Sequence, residues 1–168
     1  VDGARFAYAI AGTANSAAEL SWRAGVDVLT LGLTKTGAAG CEVILLFGAA
    51  RTKAAELRVR AKRSGHMPPK MRFLAAQAEA MLTDGLWLKL AGHANRMAGI
   101  LAEGLERKGF KLAFPREGNE VFALLPPDAV QKLKTAGAVF YPWPGGSSRF
   151  VASWSTSESE VAELLAVL

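Results

Sequence analysis

The sequence predicts an α/β region followed by a small α+β lobe, and three features of the pattern support this fold class. In the first part of the chain, two apolar runs of strand length alternate with helical segments. A long tract with helical spacing follows. The last part changes to short strand-like runs with further helices between them. Alternating strands and helices are typical of an α/β layer, whereas a later block of short strands is typical of a separate α+β unit.

The first region contains four predicted elements. A short helix is predicted at residues 17–24 and a buried strand at residues 26–33. A second strand is predicted at residues 42–47, and a basic helix at residues 52–63. The single cysteine, Cys41, precedes the second apolar run and is expected to be a small buried hydrophobic residue.

A helical tract over residues 73–108 connects the two regions. Its apolar residues recur at spacings of four or seven, and they are Leu86, Leu90, Met97, Leu101 and Leu105. Thr83-Asp84-Gly85 interrupts this pattern, and it predicts a break followed by a second helix start.

The region after Gly109 is predicted to form a compact α+β lobe. Short strands are predicted at residues 111–114, 120–125, 139–143 and 149–154, with helices at residues 128–135 and 159–167. The sequence Gly145-Gly146-Ser147-Ser148 predicts a turn before the last strand. Ser157 and Glu160 form the S-x-x-E signal of a capped helix start.

Composition excludes several classes of protein. With 168 residues, 51% hydrophobic and 21% charged, the chain resembles a folded domain and not a disordered, collagen-like or coiled-coil protein. Its apolar runs are far shorter than the roughly 20 residues of a membrane-spanning helix. A single cysteine favours a reducing, cytoplasmic compartment. The net charge of +5 fits either a nucleic-acid surface or a site for anionic ligands. The abrupt start at Val1 predicts that the chain is a fragment.

Lys35 is the strongest candidate for chemistry in the first region. It lies at the end of the predicted buried strand, in Gly32-Leu33-Thr34-Lys35-Thr36-Gly37. Burial favours a neutral amine, which attacks carbonyl groups, and the small neighbours leave room for a flat ligand. A lysine that extends from a strand end into solvent is the more common case, and this segment alone favours it.

Two further segments place charged residues among small or apolar neighbours. In Asp2-Gly3-Ala4-Arg5, a buried aspartate could keep a pyridine nitrogen protonated, and the arginine could bind a carboxylate with its planar guanidinium. A loop ion pair is the simpler alternative. Arg149 begins a predicted strand of the second lobe and could also bind an anionic substrate group. Most such arginines only mark a sheet edge.

The colinear order of these segments resembles one family. The chain is similar to the C-terminal half of the L-threonine aldolases, in the β-eliminating-lyase branch of the fold type I pyridoxal-phosphate enzymes. The matching segments are residues 2–5, 32–35, 62–66, 70–77, 85–88, 93–95, 118–122 and the strand of Arg149. The resemblance implies an aminotransferase-like large domain of which residues 1–72 form the C-terminal part, connecting helices over residues 73–108, and a small α+β C-terminal domain over residues 109–168.

The resemblance also implies roles for individual residues. Lys35 matches the lysine that binds the cofactor covalently, and Asp2 matches the carboxylate that faces the cofactor's pyridine nitrogen. Arg5 and Arg149 match arginines that hold the substrate carboxylate.

Four other basic residues are assigned less directly. Arg63 and Arg72 match a basic stretch that approaches the cofactor phosphate or a neighbouring subunit, and the spacing of this stretch varies within the family. His66 and His93 are expected to be surface or packing residues, because the sequence has no cluster of histidine, cysteine and acidic residues that would predict a metal site.

The implied reaction is the retro-aldol cleavage of a β-hydroxy-α-amino acid such as threonine into glycine and an aldehyde, with pyridoxal 5′-phosphate as cofactor. The enzyme is expected to be a cytoplasmic homo-oligomer, a tetramer or a dimer. The missing first half of the fold would hold the phosphate-binding turn and the base for the substrate hydroxyl, so the chain alone is expected to be inactive.

Three alternatives stay open. Within enzymes, they are a related β-eliminating lyase and an aldolase for phenylserine-type substrates. The alternative from another class is a basic nucleic-acid-binding domain, which the isoelectric point near 9.6 and the basic residues 51–63 favour.

Overall fold

A three-stranded sheet organises the first part of the chain, in a computed structural model that describes residues 1–168. Its strands are β1 (Asp2–Gly3), β2 (Val28–Gly32) and β3 (Glu42–Leu46), and α1 (Phe6–Gly12) follows β1. The central strand, β2, is parallel to β1 and antiparallel to β3. Because β1 and β2 run in the same direction, the segments that follow them leave the sheet at the same edge.

Three helices follow this sheet: α2 (Ala54–Arg63), α3 (Arg72–Leu82) and α4 (Leu86–Arg107). A short 3-10 turn separates α3 from α4, and in it Asp84 has a φ of 51°. Aspartate tolerates this left-handed conformation better than most residues do, and a single such residue ends a helix. The break predicted at residues 83–85 is therefore confirmed.

A four-stranded antiparallel sheet organises the second part of the chain. Its strands are β4 (Lys111–Leu112), β5 (Glu120–Leu124), β6 (Tyr141–Trp143) and β7 (Ser147–Val151), in the spatial order β4-β5-β7-β6. The helices α5 (Pro127–Thr135) and α6 (Glu158–Val167) complete this part. The core joins apolar residues from α4, β5, α5, β7 and α6, among them Met97, Leu101, Leu105, Val121, Leu133, Phe150 and Val161.

The chain divides into two compact units, Val1–Leu90 and Ala91–Leu168, with the boundary inside α4. The start of α6 is a capping box, in which the Ser157 side chain accepts a hydrogen bond from the Glu160 backbone and the Glu160 side chain accepts one from the Ser157 backbone. The predicted cap is thus confirmed. None of the helices combines the length and the apolar character needed to cross a membrane.

The helix predicted at residues 17–24 is wrong. This segment forms turns and then a three-residue 3-10 helix, Trp22–Ala24, which Gly25 ends with a φ of 85°. The structure instead has a helix at α1, which the sequence pattern did not indicate because its seven residues span only about two turns.

The last strand, β7, begins earlier than predicted. Gly145 and Gly146 have φ values of 82° and 80°, so the tight turn ends there. Ser147 and Ser148 are buried and already belong to the strand. Arg149 consequently lies in the middle of β7 and not at its start.

Candidate active site

The segments that carry Asp2, Arg5 and Lys35 lie at the same edge of the first sheet. Asp2 pairs with Thr30 and Gly3 with Leu31, so β1 and β2 end side by side. The chain then turns into α1 after Arg5, and into a 3-10 helix, Thr34–Thr36, after β2. In α/β sheets, ligands bind at the carboxyl ends of parallel strands. The fold thus brings three of the predicted site residues to one place.

Two glycines allow these segments to approach each other. A Cβ at Gly32 would lie 2.9 Å from the Ala4 Cα atom and 2.9 Å from a carboxylate oxygen of Glu42. A Cβ at Gly3 would lie 2.5 Å from the carbonyl oxygen of Thr30. Since real Cβ atoms do not pack this closely, any other residue would push the two turns apart.

The Lys35 side chain is exposed, and the burial expected from the sequence is wrong for this chain. The strand ends at Gly32, and Lys35 lies in the turn beyond the sheet layer. The backbone around it is nevertheless firmly packed. Leu33 and Thr36 are fully buried, and the Thr36 hydroxyl donates a hydrogen bond to the Leu33 carbonyl at 2.9 Å.

Asp2 is also exposed, contrary to the buried aspartate considered from the sequence. One of its carboxylate oxygens accepts a hydrogen bond from the Ala4 backbone at 3.0 Å, which fixes the turn between β1 and α1. Arg5, the residue before α1, is half-buried. A carboxylate, a guanidinium and an amine are therefore available together at this edge.

Arg63 and Arg72 lie away from these residues in the sequence and form no hydrogen bond or ion pair with them. Arg63 ends α2 and Arg72 begins α3, and both side chains are exposed. The Arg72 guanidinium lies over the ring of Phe73, 4.8 Å from its centre. No contact of the first sheet assigns them a ligand.

Arg149 belongs to the second unit, where it is held by two neighbours. Its Nε donates to Glu120 Oε1 at 2.7 Å, and a terminal nitrogen donates to the same oxygen. Its guanidinium also lies 5.2 Å from the centre of the Trp143 ring. Because β7 pairs with β5 on one side and β6 on the other, the sheet-edge interpretation of Arg149 is wrong.

Cys41 and His93 have structural surroundings. Cys41 is buried, as predicted, and its thiol donates to the Leu74 carbonyl; burial raises the pKa of this thiol. His93 Nε2 lies 2.6 Å from the Thr156 carbonyl, and Nδ1 lies 3.2 Å from an Arg96 nitrogen. A carbonyl can only accept and a guanidinium can only donate, so His93 is a neutral packing residue with its proton on Nε2.

Two residues near the site were missed from the sequence. Tyr8 is buried in α1, and its hydroxyl donates to the Lys35 carbonyl. Glu120 is the carboxylate partner of Arg149. The signal for Glu120 would have been the strand register, in which Phe122 lies opposite Arg149 and places Glu120 on the same side of the sheet two residues away.

Comparison with known proteins identifies the class of protein to which this site belongs. The model of the beta-eliminating lyase family matches residues 1–126, and the chain belongs to that family.

Individual relatives narrow the similarity. The chain is 46% identical over 166 residues to the low specificity L-threonine aldolase of Pseudomonas aeruginosa, covering 98% of this chain and 47% of that protein. It is 43% identical to the low specificity L-threonine aldolase of a Pseudomonas species, covering 99% and 48%. The solved threonine aldolase of Leishmania major superposes with a TM-score of 0.87 at 31% identity, covering 99% of this chain and 49% of that one. The chain thus spans about half the length of the relatives it matches.

Proposed function

We propose that this chain is the C-terminal half of a pyridoxal-phosphate-dependent aldehyde-lyase that cleaves threonine-like β-hydroxy-α-amino acids into glycine and an aldehyde. The observation that carries the proposal is the parallel pairing of β1 with β2, which brings the Asp2–Arg5 turn and the Lys35 turn to one sheet edge. The names of the relatives support the choice of reaction. The other half of the fold, present in those relatives, is the required partner.

The residues at this edge fit the cofactor. Pyridoxal phosphate has an aldehyde, which needs an amine, and a ring nitrogen, which needs an acidic partner when protonated. Lys35 supplies the amine and Asp2 the carboxylate. Gly3 and Gly32, where a Cβ would collide with neighbouring atoms, keep the two turns close enough to serve one ligand. Arg63 and Arg72 are proposed to contact the cofactor phosphate or a neighbouring subunit, on the resemblance alone.

The chain's own residues then have distinct tasks in the reaction. When bound, the cofactor supplies an electron sink for the negative charge that develops on the substrate Cα. Asp2 holds the proton on the ring nitrogen, and its negative charge keeps that proton in place. Arg5 binds the substrate carboxylate through its planar guanidinium and so fixes which Cα bond is broken.

Arg149 is proposed as a second ligand of the substrate carboxylate. This assignment rests on the family resemblance, because Arg149 lies in the second unit and its guanidinium contacts Glu120 in the present structure. The base for the substrate hydroxyl proton is expected in the half of the fold that this chain does not span.

The test is product analysis with the complete protein, meaning this chain together with the other half of the fold. Threonine should give glycine and acetaldehyde in equal amounts, only after pyridoxal phosphate is added. Lys35→Ala should lower turnover by about 10³-fold or more, the scale of losing a covalent catalytic group. The matched control, Lys53→Ala, changes an exposed lysine and should leave turnover unchanged.

Two results would change the proposed reaction. Release of ammonia and a keto acid in place of glycine would indicate a β-eliminating lyase. A much higher specificity constant for phenylserine than for threonine would indicate the phenylserine-type aldolase.

A further inference from the structure

Tyr8 carries a buried hydroxyl that the proposed reaction does not use. The residue lies in α1 and is only 2% exposed. Its hydroxyl donates a hydrogen bond to the backbone carbonyl of Lys35, which is 27 residues away in the chain. The contact therefore joins the helix that follows Arg5 to the residue that is expected to hold the cofactor.

This hydrogen bond completes the pairing of the Lys35 turn. Within the turn, the Leu33 carbonyl accepts from the Thr36 and Ala38 backbones, and the Thr34 carbonyl accepts from Gly37. These local bonds leave the Lys35 carbonyl to Tyr8. A carbonyl without a partner would be free to rotate with its peptide plane, and the direction of the Lys35 side chain would change with it.

The surroundings of Tyr8 keep the hydroxyl in its donating form. Burial raises the pKa of Tyr8, and the positive charge of Arg5 opposes this effect only in part. The hydroxyl thus stays protonated at neutral pH. The ring lies in the buried part of the first unit, next in sequence to buried Phe6 and Ala7, which fixes the position of the donor.

We propose that Tyr8 is a positioning residue for Lys35: by binding the Lys35 carbonyl, it sets the direction in which the lysine amine meets the cofactor. The inference rests on the proposed function only for the role of Lys35. A residue that merely fills the core would affect stability, whereas a positioning residue also changes the geometry of the bound cofactor.

Tyr8→Phe in the complete protein tests this directly. The measurement is the visible circular dichroism of pyridoxal phosphate bound to the protein, together with the rate at which borohydride bleaches its absorption band. We expect Tyr8→Phe to bind the cofactor, to lose at least half of the dichroic signal, and to lower kcat about tenfold with little change in KM. The chain offers a matched control in its other tyrosine, Tyr141, which is exposed on β6, so Tyr141→Phe should match the wild type.

The outcomes separate the possible failures. A wild-type protein without a visible band would contradict the proposed function itself. A normal wild-type band with unchanged dichroism, bleaching rate and kcat in Tyr8→Phe would overturn the role of Tyr8 alone.

If Tyr8→Phe does not fold, 4-aminophenylalanine at position 8 keeps the ring and restores an N–H donor. A folded protein with wild-type dichroism then supports the proposal. A folded protein with altered dichroism contradicts it.

Discussion

The two units of the molecule differ in how completely their own residues cover their apolar surfaces. The second unit, Ala91–Leu168, contains a closed core to which its sheet and all its helices contribute. In the first unit, α2 has no buried residue and β3 is at most half-buried. Its exposed apolar side chains include Val28, Ile44, Val59, Phe73 and Trp22. The unit that carries the candidate chemistry is thus the one with the less complete core.

This difference agrees with the share of the relatives that the chain spans. Large exposed apolar surfaces usually mark places where another chain or segment packs. We therefore expect the other half of the fold to cover the first unit, and we expect the second unit to be stabilised mainly by its own contacts. The following predictions test that comparison, from the largest expected effect to the smallest.

Removing a core side chain from the second unit should have the largest effect. Leu105 is fully buried in α4 and belongs to the core. Leu105→Ala should lower the free energy of unfolding by about 2–5 kcal/mol, because it removes buried methyl groups and leaves a cavity. Val59→Ala, on the exposed helix of the first unit, should change it by about 0.5 kcal/mol or less. Denaturant unfolding of the chain measures both, and equal losses would contradict the contrast between the units.

A glycine pair within α4 tests how tightly the second unit is packed. A Cβ at Gly104 would lie 2.2 Å from a methyl carbon of Leu165 in α6, whereas a Cβ at Gly92 would meet nothing within 4 Å. Gly104→Ala should therefore destabilise by about 1–3 kcal/mol. Gly92→Ala should stabilise by up to about 1 kcal/mol through helix propensity. If both variants gain stability, α6 is free to move away from α4.

Glu120→Gln tests what the Arg149 ion pair does in the complete protein. The Glu120 carboxylate now occupies the guanidinium that is proposed to bind the substrate carboxylate, and both side chains are mostly buried. Removing its charge should lower the KM for threonine about 3- to 10-fold, equivalent to about 0.6–1.4 kcal/mol, with kcat nearly unchanged. Glu117→Gln is the exposed control. A rise in KM would show that Glu120 orients Arg149 and does not compete with substrate.

The capping box of α6 should give the smallest effect, and one that depends on pH. The Ser157 backbone and hydroxyl donate to Glu160 and lower the pKa of this carboxyl from 4.5. A lowered pKa in the folded state means that the stabilisation is complete above the unfolded value and is lost as the pH falls through the folded one. Thermal unfolding of Glu160→Gln should thus differ from wild type at pH 7 and converge with it in acid. Glu163→Gln should show no such convergence.

Local sequence patterns predicted the second unit and the connecting helices well. The break at residues 83–85, the cap at Ser157 and the start of α5 at Pro127 all depend on the conformational preferences of a few adjacent residues. Such preferences act over short distances and do not require knowledge of the fold. This is why these features could be read without it.

The environment of the site residues could not be predicted in the same way. The exposure of Lys35 depends on where β2 ends and on what covers the turn, and the short helix α1 gave no periodic signal. The bonds from Tyr8 to Lys35 and from Arg149 to Glu120 join residues 27 and 29 positions apart. Contacts at this distance follow from strand pairing, which a single sequence does not specify.

The identity of the lysine that binds the cofactor tests the central claim most directly. The complete protein would be incubated with pyridoxal phosphate, reduced with borohydride, digested, and the labelled peptide sequenced by mass spectrometry. The label should lie on Lys35, in the peptide that contains Gly32-Leu33-Thr34-Lys35. A label on Lys53 or Lys70, or none on any lysine of this chain, would contradict the assignment of the active site to the edge formed by β1 and β2.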